Sequence, residues 1–256
     1  MRKHKKQRKE NCMDFTKIDA LTAQLRSMRP LNQTELQRLH EEFMIENTYD
    51  SNAIEGNTLT LQETALILQN GITIAEKPLR DHLEAIGHKD AFFYVMELAD
   101  RKEPLTEHSI KDIHALVLMN DAANRGVYRR LPVRIMGATH TPPQPYMVPV
   151  EMERLIVQYE EMKQEKHILE AIGMLHLLFE GIHPFIDGNG RTGRLILNLE
   201  LIKAGMLPIN IKFTDRRKYY TCFEEYYQTG NADAMIQMIT EYEMEALENR
   251  ITILSM

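Results

Sequence analysis

The sequence contains no tryptophan and only two cysteines in 256 residues. Two thiols exclude a disulfide scaffold and a Cys-rich zinc site, and they fit a reducing compartment, so a cytoplasmic protein is expected. Twelve glycines and ten prolines are few for this length, which leaves long stretches free to run as helix. Long apolar runs are missing as well. A membrane span needs about 18 residues, whereas one of the longest runs here, Ala171 to Phe179, has nine and includes His176. No membrane partner is expected. An excess of positive charge is also lacking. The net charge of −6 excludes a broadly basic nucleic-acid binder. The exception is local: residues 2–10 read RKHKKQRKE. No apolar run follows, so this is not a secretory signal, and residues 1–13 read as a solvated basic tail. Nucleic acid is therefore not an expected partner.

What is present is an ordinary globular composition, 43% hydrophobic and 27% charged, with apolar residues spaced by three and four. The expected fold class is all-α. Helices are predicted from Phe15 to Met28, from a cap at Asn32 or Thr34 through Leu36, Leu39, Phe43 and Met44, from the capping box Thr60/Glu63 to Asn70-Gly71, from Leu79 to Leu98, and from Thr106 to near Asn120. Five more follow at about 150–164, 166–180, 191–205, 214–228 and 231–253. Between the two groups, residues 124–149 hold five of the ten prolines and the strand-like Val133-Arg134-Ile135-Met136. A β-hairpin or extended flap near 131–147 is expected there. No linker marks a second domain. The expected organisation is the tail at 1–13, N-terminal helices over 14–78, and a core from 79 to 256.

Residues 183–194 read HPFIDGNGRTGR, between two apolar helical stretches. Gly188, Gly190 and Gly193 allow a tight turn and close approach of a ligand to the backbone. The loop feeds a helix N-terminus, a natural anion site. Arg191 and Arg194 lie three apart in the first turn, where cations oppose the helix dipole. An anion is expected between them, and guanidinium forks match the oxygens of a polyphosphate. His183 titrates near neutrality and is a candidate base. Asp187 is a hard oxygen ligand suited to Mg²⁺. The spacing Gly188-x-Gly190-x-x-Gly193 imitates a dinucleotide fingerprint, but it follows a helix rather than a strand. The P-loop is imitated too, without its Lys and Ser/Thr.

The twelve residues resemble the signature of Fic proteins, HPFx(D/E)GNGRxxR, at every specified position. The Fic fold is a helical bundle with a β-hairpin flap. The resemblance implies transfer of AMP from ATP to a Ser, Thr or Tyr hydroxyl of a target protein, at an in-line displacement on the α-phosphorus. His183 would be the base and Asp187 would hold Mg²⁺. Phe185, Gly188, Asn189 and Gly190 would line the nucleotide's phosphates, and Arg191 and Arg194 would neutralise the β- and γ-phosphates. Tyr219 and Tyr220 fall where relatives place aromatics beside adenine; their alternative role is helix packing, since Tyr219, Phe223 and Tyr226 share a face. Gly137 to Pro143, with Thr139, His140 and Thr141, resembles the hairpin that clamps the target's main chain by strand addition.

Residues 51–57, SNAIEGN, resemble the inhibitory helix (S/T)xxxE(G/N) of many Fic proteins. Ser51 and Glu55 are four apart and share a helical face. The resemblance implies that Glu55 pairs with Arg194 and occupies the γ-phosphate space. It also leaves room for a homodimer and for self-modification. Rival readings are a Fic-type transferase of UMP, GMP, phosphate or phosphocholine, and a nucleotide-binding regulator without turnover. Elsewhere, His176 and Glu180 read as polar helix packing, as do His82, His88, His108 and His114. Neither Cys12 nor Cys222 is expected to be a nucleophile.

Overall fold

A computed structural model describes residues 13–135 and 139–255. Among the described residues ten α-helices form: α1 Thr16–Ser27, α2 Gln33–Ile54, α3 Leu61–Asn70, α4 Leu79–Arg101, α5 Glu107–Val117, α6 Val148–Glu165, α7 Ile168–Ile182, α8 Asn189–Lys203, α9 Arg216–Thr229 and α10 Asp233–Ser255. Their ends follow local chemistry. Asn32 and Thr60 each close a reciprocal capping box with the Glu three residues on, and Thr106 does so with Ser109. Gly71 takes the left-handed conformation that stops α3. The basic tail and Cys12 lie outside the described residues, apart from Met13.

The centre of the bundle is α8. Leu195, Ile196, Leu197, Leu199 and Leu201 are all buried, because α4, α7 and α5 cover it. A helix buried on all sides carries apolar residues all round. The outer layer is α6 and α10 against α7, with α1 on α10. The C-terminal half of α2, from Met44 to Ile54, lies against α4 and α8, and Met44, Ile45 and Ile54 join the main core. Leu59, Ile67 and Ala85 make a small satellite core where α3 meets α4.

The hairpin expected near 131–147 is not formed. Among the described residues there is no strand; Val133 to Ile135 is irregular, and Pro145–Met147 is a single 3₁₀ turn. Residues 136–138 lie outside the described residues. The physical reason is in the sequence: Pro132, Pro142, Pro143, Pro145 and Pro149 supply no N–H to a ladder. The segment is instead tied down by side chains. Arg129 donates to the carbonyls of Leu131 (3.2 Å) and Pro143 (2.6 Å), and Thr139 Oγ1 donates to Glu224 of α9 (3.0 Å).

Candidate active site

The loop from His183 to Gly188 is held rigidly from several sides. His183 ends α7 with φ +49°, a left-handed conformation that costs a non-glycine residue about 1–2 kcal/mol. Its carbonyl accepts from Arg129 Nε at 2.8 Å, and the Pro184 carbonyl accepts the Arg129 N–H at 2.9 Å. Asn189 closes the loop from the other end. Its Oδ1 accepts from the Phe185 N–H and its Nδ2 donates to the Phe185 carbonyl, both at 2.9 Å. The Phe185 ring is wholly buried and stacks on His114 with centroids 3.6 Å apart. Phe185 is therefore the anchor of the loop, and the Asn189 amide is engaged inside it.

His114, expected as helix packing, is a positioning residue. Its Nδ1 accepts from the Gly126 N–H at 2.9 Å, so the proton sits on Nε2 and is donated to the Asp187 carbonyl, also at 2.9 Å. Burial lowers its pKa to about 4, which keeps the ring neutral. Gly188, at φ +76°, passes so close to the His114 ring and Val117 that a Cβ would crowd both. The signal was a histidine within the apolar run of α5, beside Ile110, Ile113 and Val117.

The two arginines of the loop are both buried, at 1% (Arg191) and 4% (Arg194) exposure, and both face α2. Arg191 lies 3.2 Å from Glu84 of α4 and 3.5 Å from Asp187, and donates to Asn52 at 3.4 Å. Arg194 donates to Ser51 Oγ (3.0 Å), the Ser51 carbonyl (2.8 Å) and Glu55 Oε1 (2.8 Å). The Glu55 carboxylate lies over Gly190, where even a methyl group would collide with it. Asn52 and Glu84 join the site without having been anticipated; a pair so distant in sequence from the loop leaves no local pattern. Glu84 also holds the end of α2, because Asn57 Nδ2 donates to its Oε2 at 2.9 Å.

A family model described as Fic/DOC family matches residues 104–201, the span that holds this loop, α5 and the flap. The chain carries a Fic/DOC-family domain. A protein adenylyltransferase Fic of Nematostella vectensis is 34% identical over 80% of the chain, and one of Drosophila willistoni is 35% identical over 79%. The chain spans about half the length of these curated relatives, 48% and 41% respectively. Among solved structures, a Fic domain containing signaling protein of Bacteroides thetaiotaomicron superposes with a TM-score of 0.87 at 27% identity, covering 94% of this chain and 97% of that one. Fic-1 of C. elegans gives 0.82 at 26%, covering 93% and 71%.

Around the Fic loop, the remaining expected residues separate. His183 is mostly buried, and burial lowers its pKa to about 4, so the imidazole is neutral at pH 7. Its Nδ1 lies 3.8 Å from Glu180, whose pKa burial raises to about 8, with the Glu55 charge adding to the effect. Glu180 is thus protonated at neutral pH and sits on Gly193. His176 is buried and meets the Tyr219 hydroxyl at 2.7 Å. Tyr219 is 1% exposed and packed, whereas its neighbour Tyr220 is half-exposed and donates to the Ile54 carbonyl at the end of α2. Tyr220 lines an open cavity of about 600 Å³ with Arg216, Arg217, Thr221 and Glu224. In the flap, His140 meets the Gly181 carbonyl at 2.8 Å and stacks on Tyr227; Thr141 is exposed. Cys222 is a buried free thiol. No helix among the described residues is long and apolar enough to cross a membrane.

Proposed function

We propose that this chain moves AMP from ATP to a Ser, Thr or Tyr hydroxyl of a target protein, and that Glu55 holds it in an off-state. One observation carries the reading. Arg194, in the first turn of α8, is already paired at 2.8 Å with a carboxylate supplied by another helix. Beside a helix N-terminus that favours anions, a buried guanidinium is an anion site, and Glu55 stands in for the anion. The curated relatives' name, protein adenylyltransferase, supports the choice of nucleotide.

In this reading the target oxygen bonds to the α-phosphorus as the α–β bridging bond breaks and pyrophosphate leaves. His183 receives the hydroxyl proton. Its Nδ1 is buried beside Glu180, which leaves Nε2 for that task. The neutral ring at pH 7 has the right charge state for a base. Arg194, once free of Glu55, and Arg191 neutralise the outgoing phosphates. Tyr220 is the aromatic at hand for the adenine; buried Tyr219 supports it through ring contact. Asp187 fits Mg²⁺: its carboxylate is 67% exposed at the lip of the loop, a hard oxygen donor that leaves the other positions to phosphates and water. The bound ion would supply charge neutralisation on the phosphates.

Intact-mass analysis of Glu55→Gly protein after incubation with ATP and Mg²⁺ tests the proposal. One added AMP per chain is expected, with none on the Glu55→Gly/His183→Ala control. Addition of UMP or GMP instead, from the matching nucleotide, would replace ATP as the donor.

A further inference from the structure

The segment 122–150 is unlike the rest of this acidic chain. It contains four arginines, Arg125, Arg129, Arg130 and Arg134, and no Asp, Glu or Lys. Arg129 is 4% exposed, yet its guanidinium meets only carbonyls: His183 and Ile182 on the loop side, Leu131 and Pro143 on the flap side. Among the described residues no carboxylate pairs with it, and burial alone lowers its pKa. A buried cation without a counter-ion projects positive potential outward. Its face toward solvent is a cavity of about 570 Å³, lined by Tyr128, Arg129, Arg130, Tyr146 and three prolines. Its lining is largely apolar, and Tyr146 in it is 77% exposed.

We propose that this groove, between the flap and the start of α6, docks an acidic segment of the target protein that carries an apolar side chain beside its carboxylates. The proposal rests on the transferase reading and names the chemistry of its protein partner. Charge complementarity commits the occupant. Arg130 and the Arg129 field meet carboxylates, while Tyr146 and the three prolines cover an apolar side chain. A nucleic acid fits less well, because only one exposed arginine, Arg130, lines the cavity and the chain as a whole is at −6. Arg129 spans the groove and the loop, so a segment bound here is registered against His183 through one side chain.

The test uses three fluorescein-labelled twelve-residue peptides, each with one Leu and one Thr, flanked by Glu, Ala or Lys. Fluorescence anisotropy reads their binding to the full chain. The Glu peptide is expected to bind about tenfold more tightly than the Lys peptide at low salt, with the difference shrinking as salt screens it. Arg130→Glu should abolish the preference. Tyr146→Ser, at a highly exposed position, should weaken the Glu peptide while leaving the melting temperature unchanged. Equal affinity of the three peptides, or tighter binding of oligothymidine than of the Glu peptide, would overturn the proposal. AMP transfer by Glu55→Gly is read separately by mass. Peptide discrimination without transfer would keep the docking surface and remove the transferase reading.

Discussion

Removing the Glu55 charge should make two measurements move in opposite directions. Arg194 is 4% exposed and Glu55 Oε1 is 2.8 Å from it. At an effective dielectric near 20, unit charges about 4 Å apart attract by about 4 kcal/mol. The Glu55 side chain is 34% exposed, so solvent screening roughly halves this, to about 2 kcal/mol. Ser51 keeps its two bonds to Arg194 and limits the loss. Glu55→Gln, which keeps the shape, should therefore lower stability by about 2 kcal/mol, or about 4–8 °C for a chain of this size. On the proposed function, the same interaction is what a triphosphate must displace in the native protein. Its removal should tighten ATP binding by about 2 kcal/mol, roughly thirtyfold. Calorimetric titration with ATP and thermal melting with and without the nucleotide read both quantities. The variant should melt lower alone and gain more from ATP than the native protein. A Glu55→Gln protein with native ATP affinity would refute the idea that Glu55 occupies the phosphate site.

Three further outcomes are expected. His183→Ala in the Glu55→Gly background should abolish AMP transfer while ATP still binds, as measured by labelling beside calorimetry. His114→Phe keeps the stack on Phe185 but orphans the Gly126 N–H and the Asp187 carbonyl, at about 1–3 kcal/mol each; melting should drop and transfer should slow, and an unchanged melting temperature would show that the loop does not depend on it. Stability should peak near pH 6.5. Burial lowers His88 and His176 to about 3 and His114 and His183 to about 4. The unfolded chain thus takes up more protons below about pH 6.5, and the stability these groups contribute above that pH is lost as pH falls. Burial raises Glu180 and Glu243 to about 8. Their contribution is fully present below about pH 4.5 and is lost as pH rises toward 8. A melting temperature that climbs steadily from pH 6 to 9 would contradict this balance.

The elements legible in the sequence were those whose determinants are local. Caps at Asn32, Thr60 and Thr106 and the stop at Gly71 specify helix ends within four residues. The loop of the Fic/DOC domain was legible for the same reason, as twelve contiguous residues. The flap misled because strand propensity in Val133 and Ile135 says nothing about a pairing partner, and the prolines around them deny one. What could not be read was contact between distant segments. Glu84 and Asn52 meet Arg191 across more than a hundred residues. Arg129 is one of four arginines over 122–150, and no local pattern marks it as the one that meets the loop's carbonyls. Tyr219 and Tyr220 are adjacent, yet one is buried and the other half-exposed, because helix α9 turns them to different sides.

The burial of α2 also constrains how quickly the proposed off-state can be left. Met44, Ile45, Ala53 and Ile54 are all at or below 8% exposure, so lifting the whole helix would uncover apolar surface worth on the order of 8 kcal/mol. Fraying only the last turn, from Ser51 to Gly56, uncovers Ala53 and Ile54 but leaves Met44 and Ile45 packed, and Gly56 at φ +94° already breaks the helical path there. Activation is then a local opening that recloses readily, rather than a swing of a domain. An activator need not pull the helix away. It need only trap the frayed turn, so the time spent open is set by how long Tyr220 and Asn57 let go of that end. Hydrogen exchange at the amides of residues 52–58, faster than in the rest of α2, would be the visible trace of that opening.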